Sequence, residues 1–305
     1  MDALAPLIAA SINAGTPLML AALGLLINEK SGVINLGAEG MMLVAAVVGF
    51  AVAVHSGSVF LGFAAGAFAG MLLAGFFAWL TVWLGANQVA CGLALSLFGG
   101  GASAYIGIAY VGVSLHAGKF GIPWLENIPF FGPALFRQHP MVYVSVLLCG
   151  AIIWFLRRTR AGLVLRSVGE SPSSAHALGL NVRRIRLAAL VFGGGCCGLA
   201  GAFMSLVYTP MWVEGMVAGR GWIALALTTF ATWRPARVML GAYLFGGITI
   251  LAYYMQAMGV PIASQLLSML PYLSTVLVLV VISRNSGWIR LNMPASLGKN
   301  FSPGS

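Results

Sequence analysis

The chain has 305 residues, 60% of them hydrophobic and 7% charged, with a mean hydropathy of +0.96 and a formal net charge of +10. A water-soluble domain carries about a quarter charged residues, so this composition excludes a sizeable soluble domain and points to a polytopic membrane protein. The positive balance does not indicate nucleic acid: the arginines stand in short connections between apolar runs, and no stretch interleaves basic and aromatic residues.

Apolar spans are predicted at 6–27, 33–54, 57–84, 87–111, 141–156, 187–208, 221–233, 238–258 and 264–282, nine in all with eight to ten compatible with the pattern. Several approach the roughly 20 residues of a bilayer crossing, and their continuity is unlike the alternation of a barrel strand. The fold class is therefore all-α. The stretch 221–233 is too short to cross: as a helix it reaches about 20 Å against a core of about 30 Å. It is expected to be a half-helix or re-entrant segment buried in protein. The start, "MDALAPLIAA", has no positive leader and does not read as a cleaved signal peptide.

In chain order, Asn13 is the first polar candidate inside a span. Asn35 and Glu39 follow in "SGVINLGAEGMM", four apart and expected on one helix face, with Gly40 leaving room beside them. Glu39 is placed about 9 Å inside the cytoplasmic start of its span. A carboxylate in a membrane must face protein or water. Two readings stand: Glu39 lines a path, or it is a polar clamp joining the first two spans with Asn28, Lys30 or Asn35. Gly62, Gly66 and Gly70 then form a smooth face, repeated by Gly194 and Gly198, of the kind that lets helices approach closely in lipid. Gln88 and Gln256 join Asn13 as polar positions that either line a path or bond neighbouring helices.

The segment 112–140, rich in proline and aromatics, is expected to form an ordered external cap. The connection 157–186 holds seven arginines and one acid, which makes it cytoplasmic. Counting spans from there puts "RPAR" (234–237), "NEKSG" and the tail 283–305 on the same side and the N-terminus outside. Within the connection, "ESPSSAHALG" reads as a very short helix over 171–179. Ser171 is a suitable N-cap, Pro172 suits the first helical position and Gly179 suits a left-handed end. So short a helix needs external support. Either a cytosolic partner holds it, or it is an amphipathic connector lying on lipid headgroups. Outside, "TPMWVEGMVAGRG" offers Trp212, Glu214 and Arg220 at an entrance; Trp212 is either a stacking platform or an interfacial anchor.

Chemistry finds little purchase. Four cysteines lie within apolar spans and pack as small hydrophobes, and the four histidines are scattered over connections at both faces, so no metal set forms. "GGGCCG" matches a dinucleotide fingerprint, but no strand or ribose-binding acid accompanies it, and helix packing is its reading. The chain has no phosphate-cradling G-x-x-x-x-G-K-[ST] loop and no G-x-S-x-G or H-E-x-x-H signature. It is not expected to be an enzyme or to hold a cofactor.

The loop 157–186, with "GVINLGAEGMML", "GRGWIALALTTFATWRPARVMLGAYLFGG" and the tail "RLNMPASLGK", resembles the permease subunits of bacterial ABC importers. The type is the branched-chain amino acid, ribose and nucleoside family, the nucleoside (guanosine and purine nucleoside) branch above all, and the likeness covers essentially the whole chain. It implies one transmembrane permease domain over 1–305 in the bacterial inner membrane. The implied partners are a second, related permease, a cytosolic ABC ATPase that holds ATP and Mg, and an external substrate-binding lipoprotein. It also implies that the short helix is a coupling helix, with Gly169, Glu170, Pro172, Ala175 and Gly179 at the matching positions. The rival from another class is an ion-coupled secondary transporter, for which Glu39 is the one deep acid.

Overall fold

In a computed structural model of the chain, residues 4–115, 132–259, 263–283 and 292–301 are described. Among them every regular element is helical. The order is α1 (Leu4–Lys30), α2 (Ala38–Ser56), α3 (Val59–Ala78), α4 (Gln88–Gly107), α5 (Pro140–Arg158), α6 (Arg160–Glu170), α7 (Pro172–Ala177), α8 (Val182–Phe203), α9 (Arg220–Phe230), α10 (Pro235–Ala257) and α11 (Ser264–Ser283). Each of the nine predicted spans coincides with a helix. Seven of the helices in the described residues are long and apolar enough to cross a bilayer, whereas α9 has 11 residues. Single π-helical turns, Trp79–Trp83 and Met204–Tyr208, extend α3 and α8.

The polar residues between spans are the caps that start the helices. Asn87 Oδ1 accepts the N–H groups of Val89 and Ala90, both at 3.0 Å, Thr159 accepts Gly162 N–H at 3.0 Å, and Asn181 accepts Arg184 N–H at 3.1 Å. Each satisfies donors that a helix start leaves open.

α1 and α8 form the centre, buried along most of their length; α1 packs on α8 and α10, and α8 on α2 and α3. The two glycine faces pack on each other: Gly66 and Gly70 of α3 lie against Gly198 and Gly194 of α8, so near that a Cβ on Gly70 would collide with the Gly194 carbonyl. In lipid, association rests on such close van der Waals contact.

One expectation is corrected. The second span does not begin at 33: residues 33–37 are not helical and α2 starts at Ala38, so Asn35 and Glu39 do not share a helix face. In the connection 157–186, a further helix, α6, occupies most of the first half. Its buried residues Gly162, Leu165, Val168 and Gly169 recur at three- and four-residue steps, with Arg160 and Arg166 exposed, as suits a helix lying along an interface. Of the expected external cap 112–140, residues 116–131 lie outside the described residues; Gly132–Phe136 form a π-helical turn, and Val111 and Ser114 form isolated bridges to Trp212 and Met211.

Candidate functional site

The short helix forms as the residues dictate. Ser171 Oγ accepts the Ser174 N–H at 3.3 Å, Pro172 occupies the first helical position, and the chain leaves through Gly179 at φ +83°. Ala175 is 2% exposed and packs with Val168 of α6, Val182 of α8 and Phe301 of the tail. It roots α7 in the fold and does not project. The projecting side chains are Ala177 and Leu178, the latter 82% exposed.

The tail braces this module. Ser296 donates its N–H and Oγ–H to the Gly169 carbonyl at 3.0 and 2.6 Å, Ala295 N–H reaches Glu170 Oε2 at 3.4 Å, and Phe301 stacks edge-on against His176. Beneath it Arg186, 2% exposed, gives hydrogen bonds to the carbonyls of Ser31 (3.2 Å) and Lys299 (3.2 Å) and to Ser296 Oγ (3.4 Å). Gly298 N–H bonds the Gly32 carbonyl at 3.1 Å and Asn300 Nδ2 the Gly85 carbonyl at 2.6 Å. The tail thus gathers the ends of α1, α3 and α6 and the starts of α4 and α8 at one end of the bundle. The span count derived from charge requires the same grouping.

The second arrangement surrounds α9. At about 16 Å, this helix spans roughly half the hydrocarbon core. Its start is closed by Glu39, whose two carboxylate oxygens accept the N–H groups of Gly219 (2.8 Å) and Gly221 (2.7 Å). Gly221 is needed there, since a Cβ would lie 2.5 Å from the Glu39 backbone nitrogen. The far end is held by Glu29, 3% exposed, which accepts Thr228 Oγ1–H at 2.9 Å and the indole N–H of Trp233. The carboxylate of Glu39 thus bonds the start of α9 and not Asn28, Lys30 or Asn35, the partners named for a clamp between the first two spans.

The unwound segment before α2 explains three more polar residues. Backbone in a membrane must be satisfied by protein. Gln88 Oε1 accepts Ile34 N–H at 2.9 Å, Ser96 donates to the Leu36 carbonyl at 2.8 Å, and Asn35 Oδ1 accepts Gly37 N–H at 3.0 Å. Gln88 also donates to Asn300 Oδ1 at 3.1 Å. Gln88 and Asn35 are thus committed to the broken helix. Asn13 in α1 retains a buried Oδ1 with no hydrogen-bond partner, and Gln256 is half-buried near the end of α10.

At the opposite end, Trp212 is 2% exposed and packed on Gly107 at the end of α4, so it is a core residue and not a stacking platform, while Glu214 is exposed on the loop. Arg220 stands over the Tyr208 ring at 4.6 Å and lines a cavity of about 280 Å³ with Thr249 and Tyr253 of α10 and Tyr272 of α11. Sequence reasoning missed Glu29, Trp233 and Arg186. The signal available was the placement of two acids, Glu29 and Glu39, on either side of a Gly-containing break in a chain with six acids altogether.

Comparison with known proteins agrees with this architecture. The family described as "Branched-chain amino acid transport system / permease component" matches residues 7–282. The Haloferax volcanii protein titled "Putative glucose ABC transporter permease protein TsgC13" is 38% identical over 99% of this chain and 98% of its own. The Lactococcus lactis nucleoside ABC transporter permease NupC is 32% identical over 87% and 88%, and the Bacillus subtilis guanosine ABC transporter permease NupQ 30% over 79% of each chain. No solved structure matches significantly. With a transmembrane helical fold and a family match running from the first span to the last, the chain belongs to the branched-chain amino acid transport system permease family of ABC transporter permeases, multi-pass membrane proteins and not enzymes.

Proposed function

We propose that the chain is the membrane subunit of an ATP-driven importer that passes nucleosides, delivered by an external binding lipoprotein, across the bacterial inner membrane. A related second permease completes the conduit, and a cytosolic ATPase, which alone holds ATP and Mg, drives it through α7. The N-terminus is outside and the tail cytoplasmic. The observation that carries this reading is α7 itself: a six-residue helix, anchored through Ala175 and braced by the tail, that presents Ala177 and Leu178 outward. A stub so rooted moves as one body with α6 and α8, which is what transmission of a rigid-body displacement needs. Gly169, Glu170, Pro172 and Gly179 set its geometry.

The substrate reading draws on NupC and NupQ, and on physics. The positive end of a half-helix is an anion site. In this chain Glu39 already fills it, which suits a path for neutral solutes. Asn13, Gln256 and Arg220 are assigned to that path, the last with Glu214 at the entrance, where the binding protein docks on 112–140 and 209–220. A hexose-type sugar is the second reading, favoured by the relative titled as a glucose permease.

The test is reconstitution with the ATPase and a panel of nucleosides and sugars. Leu178→Asp should abolish ATPase stimulation by loaded binding protein while the chain still inserts; normal coupled uptake in that variant overturns the role of α7. Uptake by the purified chain alone, driven by an ion gradient, overturns the importer reading.

A further inference from the structure

We propose that the groove enclosed by α5, α6 and α8 binds one anionic phospholipid, its acyl chain in the groove and its phosphate at the exposed arginines on the groove's stripes, Arg158 of α5, Arg160 of α6 and Arg184 of α8. The groove has a volume of about 710 Å³. Leu148, Ile152 and Phe155 of α5, Val164 of α6, and Ala188 and Phe192 of α8 line it, over Ile27 of α1, and no charged side chain takes part in its lining. It opens sideways: Trp154 is 63% exposed and Phe192 38%. An apolar concavity of this size in a membrane protein takes hydrocarbon.

Depth and charge identify which hydrocarbon. Along α5 the lining from Leu148 to Phe155 rises about 10 Å, and Arg158 stands about 15 Å from Leu148, half of a core of about 30 Å, so the groove lies within one leaflet with the arginine at its polar boundary. Its polar end carries the arginines by helical register. Arg158 lies four residues beyond Trp154 and three beyond Phe155, Arg160 four before Val164, and Arg184 four before Ala188, each on a stripe that lines the groove. All three arginines are exposed. Guanidinium groups pair with phosphate oxygens in a bidentate fork, and basic pockets between spans select anionic headgroups. Trp154, one turn below Arg158, suits the headgroup boundary where indoles concentrate. The neighbouring acid, Glu170, lies at the far end of α6 and accepts the Ala295 N–H of the tail.

This inference stands apart from the transport reading, and its test needs no transport. The purified full chain in detergent is offered equimolar phosphatidylglycerol and phosphatidylcholine with matched acyl chains, and retained lipid is counted by native mass spectrometry. One phosphatidylglycerol per chain is expected, preferred about ten-fold. The double variant R158Q/R184Q should lose the preference yet keep its melting temperature. Ala188→Trp should displace either lipid. Equal retention of both lipids by the unaltered chain, an undiminished preference in R158Q/R184Q, or full retention in Ala188→Trp would each overturn the site. So would disulfide formation between chains carrying Ala188→Cys in native membranes, which would give the groove to a second copy.

Discussion

The carboxylate of Glu39 caps a helix to which it does not belong: from the first turn of α2 it takes the N–H groups of Gly219 and Gly221 at 2.8 and 2.7 Å. The start of α9 leaves backbone donors open, and the positive end of its dipole meets this carboxylate. Loss of that cap should be costly. Glu39→Ala is expected to destabilise the chain by about 3 kcal/mol, since two buried donors lose a charged acceptor, and Glu39→Gln by less, since one acceptor oxygen remains. Unfolding by titration with a denaturing detergent measures both; equal stability of Glu39→Ala and the unaltered chain would refute the cap.

At the other end of α9, Trp233→Phe keeps an aromatic ring and removes the indole donor from Glu29. A loss of about 1–2 kcal/mol is expected. Thr228→Val, which keeps shape and deletes the hydroxyl, should have a similar effect; the two losses should not add, because both groups serve one carboxylate oxygen.

Removal of residues 292–305 strips the Lys299 carbonyl and Ser296 Oγ from Arg186, leaving the Ser31 carbonyl alone among its hydrogen bonds given above. A buried cation left so is expected to destabilise by about 3 kcal/mol. Ser296→Ala should cost about 1 kcal/mol. Hydrogen exchange should show α6 and α7 opening first in the truncated chain.

Gly70→Val places a branched side chain into the Gly194 carbonyl across the α3–α8 seam. Overpacking of this kind costs about 1–3 kcal/mol or forces the helices apart. Reduced recovery of monodisperse protein on size exclusion is the expected sign, with Gly75→Val, where no atom lies within 4 Å, as the neutral comparison.

His139, the N-cap of α5, precedes the membrane span, and its burial pushes the imidazole down to about 4 from the usual 6.5. The folded chain favours the neutral ring, so the unfolded chain takes up the proton first as pH falls. The stability it contributes is complete above 6.5 and is lost from there down towards 4. Proton NMR of the ring should give a midpoint well below 6.5, and His139→Asn, which can still cap, should flatten the fall in melting temperature across that window.

Much of the fold could be read directly. The nine apolar runs became the helices with ends displaced by a few residues, because in lipid a long apolar segment has no satisfied alternative to the helix. The short helix α7 was legible from Ser171, Pro172 and Gly179, since caps act over three or four neighbouring residues. Glu39 was recognised as costly and in need of protein, but its partner was not legible. Gly219 and Gly221 lie 180 and 182 residues away, and no local pattern announces so distant a bond.

The amino-acid order alone determined the spans and the caps of α7, both consequences of solvation and local backbone geometry. Tertiary structure alone decided that 33–37 unwinds, that Gln88 and Ser96 satisfy it, that two acids grip one half-helix, and that the tail closes over Arg186. Those outcomes depend on which buried polar groups meet in three dimensions. A single polar residue in an apolar span signals only that it needs a partner.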